Sequence, residues 1–185
     1  GEVTVVAPSR EMSAVSHGIT LHHPLRLREL GPRRYTVDGT PADCVYLAIH
    51  AVMNPAPDLV ISGINHGPNM GHDVFYSGTV AGAMEGVLQG VSGIAFSMVG
   101  DRFPVRDHVV DWSARVLERL LKEDPLPSPY CVNVNIPNVA GAVIRGIRAT
   151  RVGERIFESA VERRVDPRGL PYYWIGGLRF QNPRY

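Results

Sequence analysis

Short β-branched, apolar runs alternate with stretches of helical periodicity, and this alternation dictates the architecture more strongly than any other feature of the chain. The runs are Glu2–Ala7 (EVTVVA), Asp58–Ser62 (DLVIS), Gly93–Ser97 (GIAFS) and Cys131–Ile136 (CVNVNI). Runs of this kind suit parallel strands covered on both faces. Between them, Thr40-Pro41-Ala42-Asp43 supplies a cap hydroxyl, a proline at the first helical position and an acid in the first turn. A helix is expected from Pro41 to about Met53, stopping before Pro55. A second should open at Ser77 to Thr79 and end near Gln89, before Gly90. A third, from about Asp107 to Lys122, places Val109, Trp112, Val116, Leu120 and Leu121 at helical spacing. The alternation predicts an α/β fold, a Rossmann-like parallel sheet with helices on both faces. Ile19 to Val37, punctuated by Pro24 and Gly31-Pro32, reads as a hairpin excursion. After about Gly146 the pattern gives way to charged residues and Tyr172-Tyr173-Trp174-Ile175, read as an extended C-terminal arm. The expected organisation is an α/β core over residues 1–145 and an arm over 146–185.

A chain of 185 residues can bury a sizeable core without a metal or disulfide scaffold. Its 44% apolar and 20% charged residues exclude global disorder. With 19 basic and 18 acidic residues the net charge is +1, so no whole-surface field recruits duplex nucleic acid or a membrane. No apolar run reaches the roughly 18 residues of a membrane helix, and no signal peptide opens the chain. Cys44 and Cys131 form no C-x-x-C pair and read as reduced thiols. The expected location is cytoplasmic.

Ligands of open parallel sheets bind beyond the carboxyl ends of the strands. Two polar loops leave such ends, Pro8 to His17 and Gly63 to Asp73. Ser77-Gly78-Thr79 opens a helix, where unpaired N–H groups and the positive dipole end can cradle a phosphate. A plain helix cap is the alternative for Ser77 or Thr79. Ser13 and Asn65 offer neutral oxygens, which hard divalent cations accept but normally alongside carboxylates. Loop hydrogen bonding is the commoner role for such a pair, and Glu11 and Asp73 lie nearby in sequence. In the glycine-rich loop, Asn69 and His66 are candidate substrate contacts. His17 follows Ser13 by four residues, but without a G-x-S-x-G elbow a nucleophile–base pair is unsupported. No residue stands out as a general base.

Taken together, the blocks GTPADC (Gly39 to Cys44), SGINHGPNMGHD (Ser62 to Asp73) and YSGTVAGAMEG (Tyr76 to Gly86) resemble the signature of the survival protein SurE family. VVAPSREMSAVSH (Val5 to His17), LHHPL, VNVNIP (Val132 to Pro137) and YYWIGG (Tyr172 to Gly177) extend the resemblance in the same order. Members of that family are metal-dependent phosphatases acting on nucleoside monophosphates. The resemblance implies a 5'/3'-nucleotidase using Mg²⁺ or Mn²⁺. It implies that Ser13 and Asn65 are metal ligands, that Ser77, Gly78 and Thr79 contact phosphate, and that subunits form a homodimer or homotetramer by C-terminal exchange. Three departures bear on these expectations. The family's adjacent Asp pair, in a block reading roughly N-D-D-G after its first strand, is absent. Glu2 falls where the family's second strand begins, so the first strand and helix are expected to be missing. Beyond Gly177 the family's last strand and helix do not follow. A phosphate- or nucleotide-binding module without turnover is the rival reading.

Overall fold

The computed structural model of the chain describes residues 1–100, 107–123, 126–139, 143–154 and 160–176. In order come β1 (Val5–Pro8), β2 (Leu27–Gly31), β3 (Arg34–Val37), α1 (Pro41–Leu47), β4 (Val60–His66), α2 (Asp73–Tyr76), α3 (Gly78–Leu88), β5 (Gly93–Val99), α4 (Asp107–Glu118), β6 (Cys131–Pro137), β7 (Ala160–Val165) and β8 (Pro171–Gly176). Helix α1 continues as a wider, π-type turn over Ala48–Val52, and α4 does so over Arg119–Glu123.

Strands β4, β5 and β6 form a parallel sheet in that order. Alternate residues of β5 face opposite helices, as a doubly covered strand requires. Ile94, Phe96 and Met98 join Val109 and Val116 of α4 and Ile136 of β6 in the main buried cluster. Ala95 points the other way, to Val80 and Ala83 of α3. The α/β architecture with helices on both faces is therefore present. The first run, however, leaves this sheet: β1 pairs in parallel with β3, whose other edge takes β2 antiparallel. The expected hairpin excursion returns as β3 and occupies an edge of β1. Helix α1 packs against α3 and so ties the two sheets together.

Helix α3 lies unusually close to its sheet because glycine recurs every four residues on one face. A Cβ at Gly82 would stand 3.0 Å from Ser62 Oγ, and one at Gly86 2.8 Å from Val60 Cγ2. From the sheet side, a Cβ at Gly93 would strike the Ala83 carbonyl. Four residues along α3 thus match two along β4, which carries the helix N-terminus to the Asn65 end of that strand.

Strand β4 runs to His66, past the expected stop at Ser62. Its register with β5 shifts between Ser62 and Asn65. Gly63 allows this: its φ is 126°, and any side chain would collide with the Phe96 carbonyl. In the C-terminal part, β7 and β8 pair only with each other among the described residues. The tail from Gly177, where the family's last strand and helix would begin, lies outside the described residues. No helix among the described residues is long and apolar enough to cross a membrane.

Candidate functional site

The loop after β1 carries Ser13 and is held down on its far side. Ser16 donates its hydroxyl to the Phe75 carbonyl at 2.6 Å and its N–H to the Tyr76 carbonyl at 3.0 Å. Thr20 gives both N–H and hydroxyl to the Asp43 carboxylate, at 2.9 and 2.7 Å. Thr40 caps α1 in a capping box with Asp43 and donates its hydroxyl to the Gly18 carbonyl at 2.7 Å. Burial pushes the Asp43 carboxyl up, but the bonds from Thr20 and Thr40 outweigh it and hold the group below its ordinary value. The GTPADC block is therefore a loop anchor as well as a helix start. Burial, with the Asp43 charge added, raises the Cys44 thiol to about 12, so this cysteine is an inert core group.

Beyond β4, the glycine-rich loop is pinned by asparagines. Asn65, Ser97 and Asn135 are register partners across β4, β5 and β6, a polar row at the carboxyl ends of the strands. Above them Asn69 is 6% exposed. Its side chain donates to Ser97 Oγ at 2.7 Å, and its N–H to Asn135 Oδ1 at 2.9 Å. Its carbonyl accepts from Asn133 at 2.8 Å and from Asn135 at 3.1 Å. Asn69 thus spends its N–H, its carbonyl and its amide nitrogen on holding the loop. Asn133 and Asn135, which hold this loop, are residues that the sequence reading missed. The period-two V-N-V-N spacing, which sets two amides on one face of a strand, was the available signal.

At the start of α3, Ser77 is the N-cap and is buried, its Oγ accepting from the Val80 N–H at 3.1 Å. The cap reading therefore holds for Ser77. Because that oxygen is an acceptor within the helix, its hydroxyl hydrogen is the part left to meet a ligand. Thr79 is half-buried. Gly78 has a packing reason to be glycine: a Cβ there would lie 3.0 Å from Pro41 Cγ, 3.2 Å from Val15 Cγ2 and 3.3 Å from the Met12 carbonyl. The Ser13 loop consequently lies against the start of α3.

The remaining sequence candidates fall as follows. Ser13 is exposed and donates to Glu11 Oε1 at 2.9 Å. Asn65 is half-buried, and its Nδ2 donates to the Gly67 carbonyl at 2.9 Å, so Oδ1 is the atom it can offer a cation. His66 is exposed at the end of β4. His17 faces Glu85, and Ser13 is not its partner. Ser13 and Asn65 fit a hard divalent ion in donor type, as neutral oxygens, but supply no negative charge. Among the described residues no three His, Cys, Asp or Glu side chains group to complete a metal site.

Known proteins resemble this chain along nearly its whole length. A "5'-nucleotidase SurE" of Gemmatimonas aurantiaca is 51% identical over 181 residues, covering 96% of this chain and 71% of that protein. One from Anaeromyxobacter sp. is 51% identical over 177 residues, 95% of this chain and 68% of its own. The crystal structure of the SurE protein from Aquifex aeolicus superposes with a TM-score of 0.85 at 43% identity, over 100% of this chain and 75% of that one. The family model for survival protein SurE matches residues 1–159. The family model over residues 1–159, the relatives at 51% identity and the shared fold agree, and this chain belongs to the survival protein SurE family.

Proposed function

We propose that the protein is a phosphomonoesterase that hydrolyses nucleoside monophosphates to nucleoside and phosphate, as a 5'- or 3'-nucleotidase dependent on Mg²⁺ or Mn²⁺. The observation that carries this reading is the meeting of three elements at one strand end: the Ser13 loop, the N-terminus of α3 and the Asn65 row. The names borne by the relatives support it.

In this reading the start of α3 binds the phosphate through its N–H groups and dipole, with the Ser77 and Thr79 hydroxyls donating to phosphoryl oxygens. Those donors stay fixed while negative charge builds on the oxygens in the transition state. Ser13 Oγ and Asn65 Oδ1 would be this chain's ligands to the divalent ion, with carboxylate charge still to be added. A bound ion supplies charge neutralisation and a more acidic water. Asn69 and His66 edge the substrate side of the glycine-rich loop, where Asn69 acts by shaping it. Residues 1–145 serve as the catalytic core. Residues 146–185 serve as an oligomerisation arm giving a homodimer or homotetramer. An isolated two-stranded hairpin needs a partner surface, and Tyr173, Trp174 and Ile175 are exposed on it.

Among the described residues no three His, Cys, Asp or Glu side chains group together, and the rival reading is a phosphate- or nucleotide-binding module without turnover. Phosphate release from nucleoside monophosphates by the intact protein separates the two. The nucleotidase reading expects release that EDTA abolishes and Mn²⁺ or Mg²⁺ restores. Ser77→Ala should lower kcat/KM by about tenfold to a hundredfold, as for loss of one donor to a charged oxygen. Phosphate binding without release would establish the rival, and release indifferent to EDTA would refute the metal dependence.

A further inference from the structure

Glu85 is the only charged residue of α3, and its side chain is 4% exposed in a helix otherwise made of Gly, Ala, Val, Thr, Met and Leu. A carboxylate in such a place needs its oxygens occupied. Both are. Oε2 lies 2.7 Å from His17 Nε2, and Oε1 accepts from Gln89 Nε2 at 2.7 Å. The chain continues, since Gln89 Oε1 lies 2.8 Å from His50 Nε2. A carboxylate offers acceptors only, which orients every other group. Gln89 must turn its amide nitrogen to Glu85 and its oxygen to His50, and both histidines donate from Nε2. One buried charge therefore joins the Ser13 loop, α3 and the turn after α1.

At its start the loop is tied to β3 by the Ser9 N–H on the Val37 carbonyl, and beyond Ser13 the anchors at Ser16 run to Phe75 and Tyr76 and those at Gly18 and Thr20 to α1 and its cap. Among these anchors of the described residues, the His17 bond is the one that runs to the middle of α3, the helix whose first turn carries Ser77–Thr79. We infer that Glu85, acting through His17, is a positioning residue that sets the Ser13 loop at a fixed distance from the phosphate turn. This rests on the hydrolytic reading above, and the role is mechanical: Glu85 touches neither substrate nor reacting atoms.

The experiment compares the intact wild-type protein with His17→Ala, His17→Asn, Glu85→Gln and Ser13→Ala, reading hydrogen exchange by mass spectrometry beside nucleoside monophosphate hydrolysis. His17 is 30% exposed in its side chain, so His17→Ala should fold. Exchange over residues 12–20 should rise about tenfold in His17→Ala while that of residues 80–88 stays put. The kcat should drop by about tenfold to a hundredfold, the usual effect of misplacing a catalytic element, with KM little changed. His17→Asn, which restores one donor, should recover part of both effects, and Glu85→Gln should loosen the same segment. Adding Ser13→Ala to His17→Ala should be no worse than Ser13→Ala alone, because both act through one loop. Unchanged exchange in residues 12–20, or rate effects that multiply, would overturn the assignment. If the wild type releases no phosphate, the hydrolytic reading falls by itself, and the exchange comparison still decides whether Glu85 anchors the loop.

Discussion

Asn135→Ala should free the glycine-rich loop without unfolding the sheet. The substitution removes two hydrogen bonds, one accepted from the Asn69 N–H at 2.9 Å and one donated to the Asn69 carbonyl at 3.1 Å. Each contributes about 0.5–1.5 kcal/mol net, so the loop loses roughly 1–3 kcal/mol. Since about 1.4 kcal/mol is tenfold in a population, its opening should become roughly 5- to 140-fold more frequent. The Asn69 carbonyl keeps Asn133, and the Asn69 side chain keeps Ser97, so the opening is local. Hydrogen exchange should show residues 67–71 exchanging faster while Gly93–Val99 of β5 keeps its protection. Asn135→Asp retains an acceptor for the Asn69 N–H but no donor for its carbonyl, and should fall between the two. Equal acceleration in the loop and in β5 would mean that Asn135 supports the whole sheet. No acceleration would mean that it does not hold the loop. Either result refutes the reasoning.

Acid should release the Asp43 anchor. Its folded carboxyl titrates below the ordinary 3.8, so its stabilisation is complete above that pH and is lost as pH falls through the lower folded value. Thermal melts of wild type and Asp43→Asn should therefore converge below about pH 3.8, and a constant gap down to pH 2 would count against the anchor. Gly93→Ala would drive a methyl into the Ala83 carbonyl and should cost about 1–3 kcal/mol or more in urea unfolding. Gly153→Ala, with open space around it, should stay within about 0.5 kcal/mol. Equal midpoints for the two variants would remove the case for the tight α3 contact.

Local signals in the sequence served well where local chemistry decides the outcome. Thr40, Pro41 and Asp43 announced α1, and the capping box is there. Ser77 and Gly90 bracketed α3, which runs from Gly78 to Leu88. The runs at residues 93–97 and 131–136 became β5 and β6 nearly to the residue. Strand β4 was cut short because Gly63 and Ile64 read as loop, whereas the close approach of the Phe96 backbone lets the strand continue through them. Strand β7 was unreadable in A-V-E-R-R-V, whose pairing depends on β8. At the site, Ser77 could be placed from its neighbours alone. Pairings such as His17 with Glu85, 68 residues away, or Asn69 with Asn135, 66 away, leave no local trace. Gly78 carried the opposite lesson, since a glycine read only as part of a phosphate cradle is also the seat of Val15 and Pro41.

The glycine face of α3 also has a consequence for motion. Where backbone meets backbone or short side chains, there are few rotamers through which strain can relax, so helix and sheet respond to a pull as one rigid body. A ligand seated at the first turn of α3 cannot draw that helix inward by an ångström without dragging β4 and β5 along. Adjustment between the empty and occupied states must then fall to residues 9–15 and to the rim of the glycine-rich loop. If α3 binds as proposed, the amplitude of those two segments, more than any bending of α3 against β4 and β5, sets how far the protein can close around its ligand.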